Sequence, residues 1–291
     1  MQILDGKATS AAIKEELKQA VEEMKAKGQQ APHLAAILVG DNPASKAYVG
    51  NKIKFCAEVG FQSSLLTYET SISEDALLDE IRKLNNDDSV DGYIVQLPLP
   101  DHISEDKVLE TVDPGKDVDG FHPVNVGKMV AGLPTFLPAT PFGITKLMEH
   151  YNISANGKSV AVIGRSHIVG RPMSILLSQS RPYGNGTVTV CHSRTKNLEE
   201  ITRNADIIVV ALGKANFLKA DMIKEGAVII DVGINRVEDA SRKRGYRLVG
   251  DADFEDCAEK SSFITPVPGG VGPMTITGLM LNTLQSARNR R

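Results

Sequence analysis

Short, fully apolar runs alternate with amphipathic stretches in two successive series along this chain, and that alternation constrains the fold more than any other feature. In the first series "HLAAILVG" (33–40) reads as a buried strand, residues 63–68 as a second, and "VDGYIVQL" (90–97) as a third, ended by Pro98 and Pro100. Between them lie a helix entered through Asn42-Pro43, a cap followed by an N1 proline, and stopping near Gly60, and another from about Ser73 to Asn86. The second series reads as strand 158–163, helix 168–180, strand 187–191, helix 197–204 and strands 206–211 and 227–231. Strands that are apolar throughout and separated by helices specify parallel sheets covered by helices on both faces, so the fold class is α/β.

From Asp113 to Pro141 the pattern breaks into turns containing Pro and Gly, and Thr140-Pro141 then opens a helix to about Tyr151. With 291 residues, more than one core usually serves, this break marks a boundary between two domains, 1–140 and 141–272. A last amphipathic helix at about 273–288, within the segment 273–291, is expected to pack back onto the first domain. Arg288, Arg290 and Arg291 read as a solvated basic tail.

A formal net charge of −3 with both signs scattered gives no reason to expect a nucleic-acid or membrane partner. Cys56, Cys191 and Cys257 are odd in number and far apart, which suits neither a disulfide framework nor a metal cluster. Met1-Gln2-Ile3-Leu4-Asp5 turns acidic at once and shows no signal peptide, and no membrane span is visible. A cytoplasmic protein is the expectation.

"VAVIGRSHIVGRP" (160–172) is an apolar strand, a turn with glycines at 164 and 170, and a helix whose N-terminus offers free N–H groups to a pyrophosphate. Ser166 stands where the middle glycine of G-x-G-x-x-G would be, so the stretch fits an ordinary strand-to-helix turn as well as a dinucleotide turn. NAD-specific sites place a carboxylate at the end of the second strand, on the ribose hydroxyls. Here that strand ends in His192, Ser193 and Arg194, with no acid, and Arg165 lies in the turn itself. Two guanidinium groups and a hydroxyl there welcome an added phosphate and point to NADP over NAD.

In the first series, "YVGNK" sets Tyr48 and Lys52 one helical turn apart with Gly50 between them, at glycine's cost to the helix. Lys52 and Gln96, the latter at a strand end, could meet in the crevice at the carboxyl ends of the parallel strands, where open α/β sheets bind ligands. An amine partly desolvated there is suited to moving protons near neutral pH. A lysine snorkelling from a surface helix is the competing reading. For Asp117 and Asp119 in "GKDVDGFHP" (115–123) three readings compete: turn formers, a D-x-D metal site, or a carboxylate accepting two hydrogen bonds from a planar ligand.

Taken together, "YVGNK" (48–52), "VQLPLP" (95–100), "DPGKDVDGFHPVNVG" (113–127), "PATPFG" (138–143), "GRSHIVGRP" (164–172) and "PVPGGVGPMT" (266–275) resemble, in order and spacing, the bifunctional methylenetetrahydrofolate dehydrogenase/methenyltetrahydrofolate cyclohydrolase family. The resemblance spans nearly the whole chain. It implies an N-terminal parallel-sheet α/β substrate domain, a C-terminal Rossmann-like NADP-binding domain and an active-site cleft between them. The implied reaction is NADP-dependent oxidation of methylenetetrahydrofolate and hydrolysis of the methenyl product to formyltetrahydrofolate, in one-carbon metabolism and purine biosynthesis. Implied catalytic groups are Lys52, Tyr48, Gln96 and Asp119, the last anchoring the pterin. Val95, Leu97, Pro268, Gly269, Gly270, Val271 and Gly272 would border the folate, and Gly164, Arg165, Ser166, Ser193, Arg194 and Ile234 the NADP. No metal is implied, and relatives suggest a homodimer. Ala139 replaces the cysteine of a P-C-T-P form and Ala252 the valine of G-D-V-D-F, which puts local packing in question. The rival reading is another two-domain NADP dehydrogenase resembling shikimate dehydrogenase.

Overall fold

In the computed structural model, which describes residues 1–242 and 244–290, the chain divides into two units, Ala11–Ala139 with Ile276–Arg291, and Thr140–Thr275 with Met1–Ser10. In chain order β1 (Gln2–Ile3) leads into α1 (Gly6–Ala26), β2 (His33–Val39), α2 (Pro43–Val59), β3 (Gln62–Tyr68), α3 (Glu74–Asn85) and β4 (Gly92–Val95). Three helices follow, α4 (Glu105–Thr111), α5 (Pro123–Val130) and α6 (Ala139–His150). Next come β5 (Ser159–Ile163), α7 (Gly170–Ser178), β6 (Thr187–Cys191), α8 (Leu198–Arg203), β7 (Ile207–Val210) and β8 (Val228–Asp231). A hairpin of β9 (Asn235–Glu238) and β10 (Tyr246–Val249), then α9 (Phe254–Ala258), β11 (Phe263–Ile264) and α10 (Val271–Arg290), complete the chain. Arg291, the end of the basic tail, lies outside the described residues.

In the unit holding Ala11–Ala139, the three strands pair in the order β3-β2-β4, all parallel. Ala35, Ile37 and Val39 of β2 bury one face against Leu77, Leu78 and Ile81 of α3 and Val108 of α4, while α2 packs on β2 and β3. The entry to α2 follows its sequence: Asn42 accepts from the backbone N–H of Ala44 and Ser45, Pro43 sits in the first turn, and Gly60 closes the helix in the left-handed region.

In the other unit, six parallel strands run in the order β1-β11-β8-β7-β5-β6. The buried stretches Val160–Ile163, Ile207–Val210 and Val228–Asp231 are the continuous apolar runs that a sheet covered on both faces requires. From β5 the chain passes outward to β6 and then returns across β5 to β7 and β8. That reversal makes a topological switch point at the carboxyl ends of β5 and β7, the usual ligand crevice of such sheets.

The segment 113–141, which reads as turns in the sequence, contains α5. His122 accepts from the backbone N–H of Val124 and Pro123 opens the helix, so a capped start overrides the local density of Pro and Gly.

Candidate active site

Tyr48 and Lys52 share one face of α2, as their spacing requires. The Lys52 ammonium donates to Oε1 of Gln96 at 3.1 Å. The strand places Gln96 for this contact: its backbone N–H donates to Ile37 O at 2.9 Å just beyond β4, and its own Nε2 donates to Leu97 O at 2.7 Å, which turns Oε1 toward the lysine. Val95 and Leu97 flank it, both half-buried. The Tyr48 ring is 50% exposed and its hydroxyl has no hydrogen-bond partner among the described residues. A side chain at Gly50 would meet no protein atom within 4 Å, so this glycine leaves open space beside the Tyr48–Lys52 face.

The two aspartates that the sequence leaves ambiguous have opposite environments. Asp117 is buried and saturated: Oδ1 accepts from the N–H of Gly120 and Phe121 at 3.2 and 3.3 Å, and Oδ2 from the N–H of His122 and Nδ2 of Asn125, both at 2.8 Å. Asp117 is therefore the turn former. The Asp119 carboxylate accepts no hydrogen bond from any described residue. Desolvation pushes its pKa above the usual carboxylate value, with the nearby Lys52 ammonium opposing the shift and Asp117 adding to it. Among the described residues no group of His, Cys, Asp or Glu is placed to hold a metal ion.

Several residues that hold Asp119 escape sequence reasoning. Nδ2 of Asn282, on α10, donates to Val118 O and Leu137 O, both at 2.8 Å, and the N–H of Ala139 donates to Asp119 O at 3.1 Å. One turn further on, Ser286 Oγ donates to Asp91 O and Gly115 O. The buried Lys116 ammonium donates to Leu84 O and Asp87 O at the end of α3, and burial lowers its pKa. The one available signal was Asn282 and Ser286 four apart, on one face of the last helix.

In the second unit, Gly164 ends β5 at φ +128°, and a Cβ there would lie 2.3 Å from Ala211 O. A Cβ at Gly170 would lie 2.2 Å from Gly164 O, so α7 starts directly against the turn. Ser166 Oγ accepts from the N–H of Val169 and Gly170 at 3.2 and 3.4 Å, occupying with a hydroxyl the place of a third glycine. Arg165, Ser193 and Arg194 are exposed, and neither guanidinium has an acidic partner among the described residues, whereas Arg82 and Arg203 pair with acids of their own helices. The structure thus offers a cradle that side chains would fill and two free cations without a competing acid, which fits a phosphorylated dinucleotide. Ile234 is 49% exposed, and its Cδ1 lies 3.9 Å from a Cβ built on Gly272. Pro268 to Gly272 form the turn into α10, closed by Gly270 N–H donating to Pro266 O at 2.8 Å.

Family comparison covers almost the entire chain. Residues 4–119 match the catalytic domain of tetrahydrofolate dehydrogenase/cyclohydrolase, and residues 138–291 match its NAD(P)-binding domain. The chain belongs to this family. It is 59% identical over 290 residues to the bifunctional protein FolD of Flavobacterium johnsoniae, covering 100% of this chain and 98% of that protein. Its fold matches the bifunctional methylenetetrahydrofolate dehydrogenase/cyclohydrolase of Campylobacter jejuni with a TM-score of 0.94 and 53% identity, over 100% of both chains. The Trypanosoma brucei methylenetetrahydrofolate dehydrogenase-cyclohydrolase, solved with NADP and an inhibitor, matches with a TM-score of 0.91 and 36% identity over 98% of this chain and 96% of that one. Shikimate dehydrogenase from Thermus thermophilus shares 14% identity at a TM-score of 0.50, over 89% of this chain and 99% of that one, a likeness of fold alone.

Both departures from the family pattern leave the backbone roles intact. Ala139 and Ala252 are each 2% exposed, and their N–H groups donate to Asp119 O and Asp231 Oδ2. Substituting the side chain leaves those bonds in place.

Proposed function

We propose that the Lys52–Gln96 pair and the bare Asp119 carboxylate form the folate-reacting centre of this enzyme. The protein is a bifunctional, NADP-dependent methylenetetrahydrofolate dehydrogenase and methenyltetrahydrofolate cyclohydrolase. The observation that carries the residue assignment is the 3.1 Å contact between the Lys52 ammonium and Gln96, with an unpaired carboxylate close enough for its ionisation to respond to the lysine. Asp119 accepts adjacent N–H donors of the pterin, a pair of charge-assisted hydrogen bonds. Lys52 moves protons as water adds to the methenyl carbon and the ring opens, and Gln96 keeps the amine pointed at that carbon. Tyr48, Val95 and Leu97 border the ligand.

Arg165, Ser193 and Arg194 take the 2′-phosphate end of NADP, while Gly164, Ser166 and the start of α7 take its pyrophosphate and Ile234 packs on it. Bound NADP supplies the hydride acceptor for the oxidation. Lys52→Met is expected to lower cyclohydrolase turnover at least ~100-fold, the usual contribution of a positioned proton-transfer group, while part of the dehydrogenase activity survives. Methenyltetrahydrofolate then accumulates and is followed by its absorbance. Hydrolysis by the folded variant near the unmutated rate, after subtraction of the spontaneous reaction, rules out the role of Lys52.

We also propose a cytoplasmic homodimer. All three cysteines are free and buried, as a reducing compartment allows, and no helix among the described residues is long and apolar enough to cross a membrane. The edge strand β6 pairs only with β5 and leaves Val190 38% exposed, an unpaired ladder that a second copy would cover. Sedimentation at twice the 31.4 kDa chain mass is the expected result, and a monomer at micromolar concentration contradicts it.

A further inference from the structure

One fully buried carboxylate plays no part in the reading above and yet joins two loops of the dinucleotide-binding unit. Asp251 accepts from three consecutive backbone N–H groups after β7, those of Leu212 (2.5 Å), Gly213 (2.9 Å) and Lys214 (2.8 Å). It also accepts from Nδ2 of Asn235 at 2.8 Å, after β8. Successive N–H groups that converge in this way make a concavity for an anion. Here the chain fills it with its own aspartate, so the cofactor's phosphates are left to the start of α7.

Asp251 is fixed in turn by a second buried carboxylate. Its N–H donates to Asp231 Oδ1 at 3.0 Å, Gly233 N–H donates to the same oxygen at 2.8 Å, and Ala252 N–H donates to Oδ2 at 2.8 Å. Burial pushes the Asp231 carboxyl up to about 6, with the three N–H donors opposing the shift and the Asp251 charge adding to it. The two aspartates are built into the backbone at van der Waals limits. A Cβ at Gly233 would lie 2.3 Å from Asp251 Oδ1, and one at Gly250 would lie 1.7 Å from Asp231 Oδ2.

The loops joined by Asp251 have a specific address. Ala211, immediately before the first, carries the carbonyl against which Gly164 is packed, and Ile234 immediately precedes Asn235. Both loops leave the carboxyl ends of strands, one of them at the switch point where such sheets bind ligands. The geometry points to Asp251 as a positioning residue for NADP, one that presets the 212–214 backbone and Asn235 so that the cofactor meets a formed surface. Preorganised groups bind more tightly because no ordering is left for the ligand to drive. This inference rests on the assignment of Gly164, Arg165, Ser166, Ser193 and Ile234 to the cofactor.

The test begins with the unmutated protein, by amide hydrogen exchange with and without NADP. The amides of Leu212, Gly213 and Lys214 are expected to exchange slowly before NADP is added, and the 211–214 and 234–235 segments to gain protection when it is. Fast exchange of all three amides in the free protein overturns the inference. Protection gained at 164–166 but not at 211–214 or 234–235 overturns it while the cofactor assignment stands. No change at any of these segments removes the assignment and the inference together.

Asp251→Asn, which turns an amide toward N–H donors, is then expected to raise the KM for NADP at least tenfold. Its hydrolysis of methenyltetrahydrofolate, assayed without NADP, should stay within twofold. Asn235→Ala, which removes a single donor, is expected to raise the KM for NADP about threefold and serves where Asp251→Asn fails to fold. A purely structural role predicts falling stability with both activities reduced alike, and either that result or an unchanged KM for NADP in folded Asp251→Asn overturns the inference.

Discussion

Two regions of this molecule withdraw carboxylates from solvent, and they treat them differently. In the dinucleotide-binding unit, Asp231 and Asp251 have their oxygens filled by N–H donors of the chain itself. In the catalytic unit, the half-buried Asp119 has no donor among the described residues, although Asp117 two residues away is buried and saturated. Asp119 is half-buried, and leaving a partly desolvated acceptor unpaired costs free energy that a bound ligand would recover. The saturated carboxylates shape the backbone, and the bare one is the group proposed here to recognise the substrate. The arginines divide in the same way, with Arg82 and Arg203 paired on their helices while Arg165 and Arg194 stay free at the proposed cofactor site.

The largest effect expected from this contrast is on stability. Asp117→Ala strands the donors of Gly120, Phe121, His122 and Asn125, and the loss should be about 3 kcal/mol. Urea titration checks it. If this variant melts like the unmutated protein but fails to bind folate, the roles assigned to Asp117 and Asp119 are reversed. A smaller effect is expected from Arg165→Ala, which removes a free cation and no internal bond. The KM for NADP should rise about tenfold, equivalent to ~1.4 kcal/mol, with the KM for NAD and the melting temperature nearly unchanged. Equal losses with both cofactors would place Arg165 away from the 2′-phosphate.

The sheets were legible in the sequence because parallel strands covered on both faces cannot hide their apolarity: β2 and β5 fall within a residue of the runs that announce them. Short or capped pieces were not. β1 and β11 have two residues each, too few for any period, and α4 and α5 depend on the capping residues Ser104 and His122 more than on an apolar stripe. The β9–β10 hairpin carries alternating exposure in a polar, Arg-rich stretch that reads as loop. The helix read from 168 begins at Gly170, because residues 166–169 serve the turn.

At the site, the spacing of Tyr48 and Lys52 put both on one face, and strand ends brought Gln96 to the lysine. What spacing could not say was which of Asp117 and Asp119 was free, since that depends on donors from Gly120, Phe121, His122 and Asn125 folding back over one of them. Asp251 was illegible for the same reason. Its partners lie 16 to 39 residues away and converge only in the folded chain.

The most direct test substitutes Asp119→Asn, which keeps size and removes charge, and measures folate affinity against pH beside the unmutated protein. In the unmutated protein the Asp119 carboxyl titrates above the usual carboxylate range, because desolvation disfavours its charged form. Lowering the pH through that raised pKa protonates the group and removes an acceptor, so folate affinity should fall on the acid side. In Asp119→Asn, folate should bind at least ~10-fold more weakly at neutral pH, from the loss of a charge-assisted hydrogen bond of about 1.5–3 kcal/mol. The acid limb should vanish, while NADP affinity and melting temperature hold. Tight folate binding by the folded variant, with the acid limb intact, contradicts the assignment of Asp119 as the substrate anchor.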